Sequence, residues 1–382
     1  MMPRLFPVLL VALLAAASVA AREFTALLGP YTGDGPADSR GIYAVKLDAA
    51  AGTLSTPELV AEVTNPEFLA LHPDGRKLYA LTRVNGADGK ATGGVAAFAL
   101  DTTAGVKLTP LNTESTGRGQ LCHIAVDASG RQVMVAAYGD PYVASFPLSS
   151  DGRVGKVASV ITHTGPLGPQ RNRQEKPHAH SVTPSPDNRF VFAADLGVDR
   201  VFAYALNPAD GSIAPHDPAF VTVPPGAGPR HTKFSPDGRH FYILNELAGT
   251  ITACRYDGAR GVAEPFETVS TLPAGYAGRH SASEIRIHPN GRFVYAGNRI
   301  HNSIAVFARD EATGALTLVE ITPTGGDQPR NFALTPDGAW LLCAHQATDN
   351  VVLFKVDDAT GRLAATGRSV KVPRAVCVLF LP

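Results

Sequence analysis

The sequence is short of charge of either sign and has no surplus of one over the other. Charged residues make up 18% of the 382, and 34 Lys plus Arg balance 34 Asp plus Glu. A chain with no net positive charge lacks the electrostatic footprint of a nucleic-acid binder. Cysteine is scarce too, with Cys122, Cys254, Cys343 and Cys377 lying far apart and none at metal-ligand spacing. Each falls in an apolar run that reads as strand, so buried unpaired thiols are expected, with a Cys343–Cys377 bridge as the alternative. No phosphate-cradling glycine loop, nucleophile elbow or CxxC pair is present. Long apolar runs are absent beyond the first 21 residues. There Arg4, the run Leu5 to Ala17 and the small residues Ser18-Val19-Ala20-Ala21 have the parts of a secretory signal peptide. The run is shorter than the roughly 20 residues of a spanning helix. The expectation is a signal over 1–21, a mature chain over 22–382, and a periplasmic or secreted location.

What the chain does have is punctuation. It holds 37 glycines and 30 prolines, about one residue in six, which favours many short elements joined by turns over a helical bundle. One phrase recurs: His72-Pro73-Asp74-Gly75, Asp127-Ala128-Ser129-Gly130, Ser185-Pro186-Asp187-Asn188, Ser235-Pro236-Asp237-Gly238, His288-Pro289-Asn290-Gly291 and Thr335-Pro336-Asp337-Gly338. The final residues are 55, 58, 50, 53 and 47 positions apart. Proline presets φ, Asp caps the turn, and Gly or Asn tolerates positive φ. Alternating apolar residues flank each turn, and a second strand pair follows. Four short strands per repeat is the signature of a propeller blade. Six copies are plain. Phe24 to Leu28, Gly41 to Leu47 and the terminal Ala375 to Leu381 supply a seventh, closed by pairing the two chain ends. The predicted fold is therefore all-β, a seven-bladed propeller of four-stranded antiparallel blades with no internal domain boundary.

Residues equally far from a turn along its two strands lie at one height. Counting seven or eight positions each way pairs Arg230 with Glu246, His180 with Asp195, Glu284 with Arg299, Arg330 with His345, His123 with Tyr138, and Glu67 with Arg83. Because innermost strands ring a central channel, these groups are expected to converge on one mouth. Asp195 and Asp199 have an alternative role in holding turns, and Glu246 one as a structural partner of Arg230. The arginines following the turns, such as Arg189 and Arg239, are assigned to the solvated opposite rim. In Pro177-His178-Ala179-His180 the two imidazoles share a strand face. Metal chelation there lacks a third ligand, so a base or donor role is preferred for His180, with a structural one for His178 close behind. The tract from Gly165 to Lys176 reads as a long basic loop, either a lid for an anionic ligand or an ordinary insertion.

At these positions the sequence resembles the lactonase family of seven-bladed propellers, which includes bacterial 6-phosphogluconolactonases and fungal carboxy-muconate cyclases. The resemblance rests on Pro177-His178-Ala179-His180-Ser181, Asp195-Leu196-Gly197, Gly228-Pro229-Arg230-His231, Asn245-Glu246-Leu247, Asn298-Arg299 and Gln328-Pro329-Arg330, in that order. It departs at Val372-Pro373-Arg374-Ala375-Val376, where a Gly-x-Gly-Pro pattern is expected. The resemblance implies a site of His180, Arg230, Glu246 and Arg299, with Arg330 and His123 nearby. His178, Asp195 and His345 are added as substrate-binding residues. The implied activity is hydrolysis of a sugar-type lactone, with Glu246 or His180 as general base and Arg230 and Arg299 stabilising the oxyanion. The alternatives are a muconate-type lactonising cyclase and a non-catalytic exported binding propeller. The expected partner is a small anionic lactone or sugar acid, not nucleic acid or membrane. A monomer needing no cofactor or metal completes the expectation.

Overall fold

A computed structural model describes residues 22–382 apart from 34, 36, 37, 87 and 88. The expected signal peptide lies outside the described residues. Strands follow from the alternation of apolar residues on either side of each turn phrase, and seven antiparallel sheets result. Numbered from the N-terminal side, blade 1 spans 69–115, blade 2 123–162, blade 3 179–222, blade 4 229–270, blade 5 282–323 and blade 6 329–371. Blade 7 takes its inner strand, Ala375–Phe380, from the C-terminus and continues with Glu23–Pro30 and Gly41–Asp48. The ends are thereby joined, with Leu27 opposite Leu379 and Leu28 opposite Val378. Closure removes the free edge that either terminal strand would otherwise present.

The six turn phrases behave as their composition requires. Gly75, Gly130, Asn188, Gly238, Gly291 and Gly338 all have φ between 60° and 76°, a region that side chains with a Cβ enter reluctantly. Arg189 and Arg239 pair with Asp187 and Asp237 of their own turns and stay exposed on that rim.

Both faces of each sheet are buried, so the period of two serves two cores. In blade 4 Phe241 and Ile243 pack with Phe192 and Ala194 of blade 3, while Tyr242 and Leu244 pack with Ile285 and Val294 of blade 5. A buried tyrosine recurs as a strap between blades. Tyr79, Tyr242 and Tyr295 donate to the carbonyls of Gly152, Gly314 and Gly361, each in the next blade's outer hairpin. All four cysteines are free thiols. Cys254, Cys343 and Cys377 lie in strands as expected, whereas Cys122 precedes its strand and is only partly buried. No helix among the described residues is long and apolar enough to cross a membrane.

Candidate active site

The inner strands of blades 3 to 6 each carry a register shift near their N-terminal end. Ala179 pairs with Asp195 but Ser181 with Ala194, leaving His180 as an extra residue. Arg230 and Arg330 occupy the same bulge in blades 4 and 6, and the Ser283-Glu284 pair does so in blade 5. A bulge re-aims side chains relative to the strand pleat. Here it sends His180, Arg230 and Arg330 towards the axis at the end of the channel remote from the turns.

That end opens into a cavity of about 700 Å³, a volume suited to a small molecule. Its lining includes Glu67, Tyr138, His180, Glu246, Arg299 and Arg330. At its base the Glu246 carboxylate meets Arg173 at 2.5 Å, Arg299 at 2.6 Å and Arg230 at 3.0 Å, with His180 Nε2 at 3.9 Å. Glu246 and Arg230 are only 2% and 3% exposed. Burial alone would raise the Glu246 pKa; Arg299, Arg230, His180 and Arg173 overcome it and hold the carboxyl far below its usual range. Burial, reinforced by the neighbouring Arg299 and Arg330, brings Arg230 down to about 9, so it remains a cation at neutral pH. The His180 imidazole is kept neutral well below 6.5, by burial first and Arg230 second. Its Nδ1 has no hydrogen-bond partner among the described residues.

The sequence count brings together some of its residues and not others, and one position of difference decides which. Side chains eight residues beyond the turn residue, Arg83, Tyr138, Glu246 and Arg299, line the cavity. Asp195 and His345 come seven beyond and fall at the ends of their strands, level with Asn245 and Asn298. Neither lines the cavity. Asp195 accepts from the backbone of His178 at 2.7 Å and of Gly197 at 2.9 Å, and pairs with His163, itself bonded to Tyr204. It is the turn-holding residue of the alternative reading. His345 is fully buried, its Nδ1 3.2 Å from the Asn350 carbonyl. Asp199 likewise holds backbone, accepting from Gly226 and Gly228.

The same parity applies before the turn. Glu67, Cys122, His180 and Arg330, eight residues upstream, reach the cavity, whereas His123 and Glu284, seven upstream, lie deeper. His123 packs its ring between Phe68 and His231 instead of facing the cavity. Arg230 backs Glu246 from below, its Nη1 3.1 Å from His231 Nε2, and does not line the main cavity. His178 also misses it. Its ring stacks on Tyr138 at 4.1 Å, and its nitrogens lie 2.9 Å from the Tyr138 carbonyl and 3.0 Å from Glu175. His180 meets the same Tyr138 edge-on at 5.3 Å. The bulge separates the two imidazoles, so the shared strand face expected for them does not exist.

Tyr31 and Arg173 are among the cavity residues with no place in the count. Tyr31 belongs to the blade without a turn phrase. Arg173 sits in the basic tract, whose composition was the available signal. That tract is pinned as much as it is a loop: Gln174, fully buried, donates to the Leu196 carbonyl and to Asp199, both at 2.8 Å. The anchor delivers Arg173 onto Glu246.

A closed ring of seven such blades with this His, Glu and Arg set defines a class. The chain matches the family model described as "Lactonase, 7-bladed beta-propeller" over residues 25–380, and it belongs to that enzyme family. Among its relatives, the 6-phosphogluconolactonase of Bacillus subtilis (strain 168) is 37% identical over 359 residues, 94% of this chain and 99% of that protein. A 6-phosphogluconolactonase of Formosa agariphila is 32% identical over 88% of this chain and 93% of its own length. Among solved structures, a periplasmic gluconolactonase of Pseudomonas aeruginosa superposes with a TM-score of 0.87 at 34% identity, covering 94% of this chain and 99% of that one.

Proposed function

We propose that this chain is an exported hydrolase that opens a sugar-type lactone, of the gluconolactone or 6-phosphogluconolactone kind, by attack of an activated water. The observation that carries the reading is the buried Glu246 held by three arginines beside a neutral His180, at the base of a cavity of small-molecule size. Of the two bases considered, His180 suits the task better. A carboxylate clasped by three guanidiniums has little affinity for a proton, whereas a neutral imidazole has a free lone pair. When His180 takes the proton of water, the Glu246 charge 3.9 Å away stabilises the imidazolium. The electron pair of the lactone carbonyl then moves onto its oxygen. Arg299 and Arg330, which line the cavity, are the donors for that oxyanion. Arg330 lies over the Tyr31 ring at 5.7 Å, with Glu67 and Glu246 as its neighbouring carboxylates. Arg230, behind the carboxylate, positions Glu246. Arg83 at the exposed mouth is placed to meet a distal phosphate.

Export rests on the composition of residues 1–21, which predicts a signal peptide ahead of a propeller spanning 22–382, and a periplasmic or secreted enzyme. The test is a substrate panel on the processed protein. Acid release from glucono-δ-lactone and its 6-phosphate, above the spontaneous rate, is expected in a pH-stat. Consumption of an open-chain diene diacid, with no lactone opened, would replace this reading with the cyclase one. Binding of sugar acids without turnover of either kind would leave a binding propeller.

A further inference from the structure

Opening a lactone involves two proton transfers, and the Glu246 cluster supplies a group for only one. The ring oxygen departs as an alkoxide, a poor leaving group unless it is protonated as its bond to the acyl carbon breaks. Three carboxyl groups line the cavity: Glu67, Asp140 and Glu246. Glu246 is committed to its arginines. Asp140 is held by the Arg118 fork at 2.7 and 3.0 Å. Glu67 alone of the three forms no ion pair with a Lys, Arg or His among the described residues.

Its position is also distinctive. Glu67 stands at the entry to blade 1, and the ring order places blade 1 across the axis from blades 4 and 5, which carry Glu246 and Arg299. A substrate between them would meet the arginines on one side and this carboxyl on the other. Tyr31, from blade 7, lies beside Glu67 and lines the same wall. The guanidiniums of Arg330 and Arg374 lie 5.7 Å and 5.1 Å from the centre of the Tyr31 ring. Glu67 also borders a small void beneath the cavity, shared with Arg230, His231 and Asn331.

We propose that Glu67, oriented by Tyr31, is the acid that protonates the departing ring oxygen. The assignment rests on the lactonase reading and adds a second proton-transfer residue to it. In the first step water's oxygen bonds to the carbonyl carbon, its proton goes to His180 and the carbonyl electron pair goes to the oxyanion. In the second the carbonyl reforms, the bond from carbon to ring oxygen breaks, and the Glu67 proton moves to that oxygen. The product is the open hydroxy acid. Proton return from the imidazolium to Glu67 resets the site. Burial favours the protonated form of Glu67, raising its pKa against the pull of Tyr31, Arg330 and Arg83. Burial likewise raises the Tyr31 phenol to about 12, so its hydroxyl keeps its proton.

The test exploits the leaving group. Gluconolactone releases an alkoxide, whereas its analogue with sulfur in the ring releases a thiolate, which needs no proton to depart. For Glu67→Gln, kcat on the oxygen lactone is expected to fall about 100-fold, within the usual range for a general acid, while kcat on the sulfur analogue stays within about threefold. Tyr31→Phe should show the same asymmetry on a smaller scale, and serves if Glu67→Gln does not fold. Equal loss on both substrates, or no loss on either, overturns the assignment while leaving the lactonase reading in place. A wild-type protein that cleaves neither lactone overturns that reading, and the acid role with it.

Discussion

At the scale of the residue, the site turns on a buried charge whose neighbours cannot do without it. Glu246 and Arg230 are both nearly inaccessible, so removing the carboxylate strands a guanidinium in a low dielectric. Glu246→Ala is therefore expected to lower unfolding stability by about 3–5 kcal/mol, which urea titration with a linear extrapolation would measure. Asp195 makes the opposite case. Asp195→Ala orphans the amides of His178 and Gly197, each worth about 1–3 kcal/mol when unpaired. It should depress the melting temperature while the KM of the folded fraction stays at the wild-type value; a raised KM with unchanged stability would return Asp195 to the binding site. The sequence made both residues conspicuous but could not separate them. Counting from a turn gives height only to within a residue, and in a strand one residue exchanges the faces. His123 and His345 miss the cavity for the same reason, while His180, Glu246, Arg299 and Arg330 fall on the parity that lines it.

Elements show where that parity comes from and why it was hidden. A bulge leaves no compositional mark when the extra residue is itself His or Arg, as at His180, Arg230 and Arg330. The turn phrases were legible because positive φ restricts composition so strongly. The inter-blade tyrosine straps were not, since a tyrosine in an apolar run looks like core until its hydroxyl is seen to reach the next blade. Tyr295→Phe removes the bond to Gly361 without changing the packing, so a loss of about 1 kcal/mol is expected by chemical denaturation. The anchored loop offers a sharper probe. A Cβ on Gly197 would lie 1.9 Å from the Lys176 carbonyl oxygen, so Gly197→Ala must displace the segment that carries Arg173. Overpacking of this sort costs about 1–3 kcal/mol. A variant with wild-type melting and wild-type kinetics would show that this segment does not position the site.

For the molecule as a whole, the repeat and its closure were legible from sequence because every blade repeats one turn chemistry and the leftover strands can be satisfied only by each other. The channel has a consequence for acid stability. Burial, first among the causes in each case, holds His123, His180 and His231 neutral well below 6.5. Below that pH the unfolded chain takes up protons that the folded one refuses, so stability falls as pH falls, by about 1.4 kcal/mol per unit for each imidazole. Glu246, with its pKa depressed, adds stability above about 4.5 that is lost only as pH drops further, through its folded pKa. Melting temperatures recorded from pH 7.5 to pH 5 should therefore decline from about pH 6.5 downward; a flat profile would mean that these imidazoles charge within the fold.

The central claim is that side chains from separate blades act on one lactone around Glu246. Arg299 reaches the carboxylate at 2.6 Å and remains partly open to the cavity, so its loss reaches the chemistry directly, and melting shows how much of the effect belongs to the fold. The most direct measurement is kcat/KM for glucono-δ-lactone opening by wild type and Arg299→Ala, with melting temperatures taken in parallel. The account predicts measurable wild-type turnover and a fall of about 100-fold or more in the variant, with melting lowered but the variant still folded at the assay temperature because Arg230 and Arg173 continue to hold Glu246. Equal rates in the two proteins would contradict it.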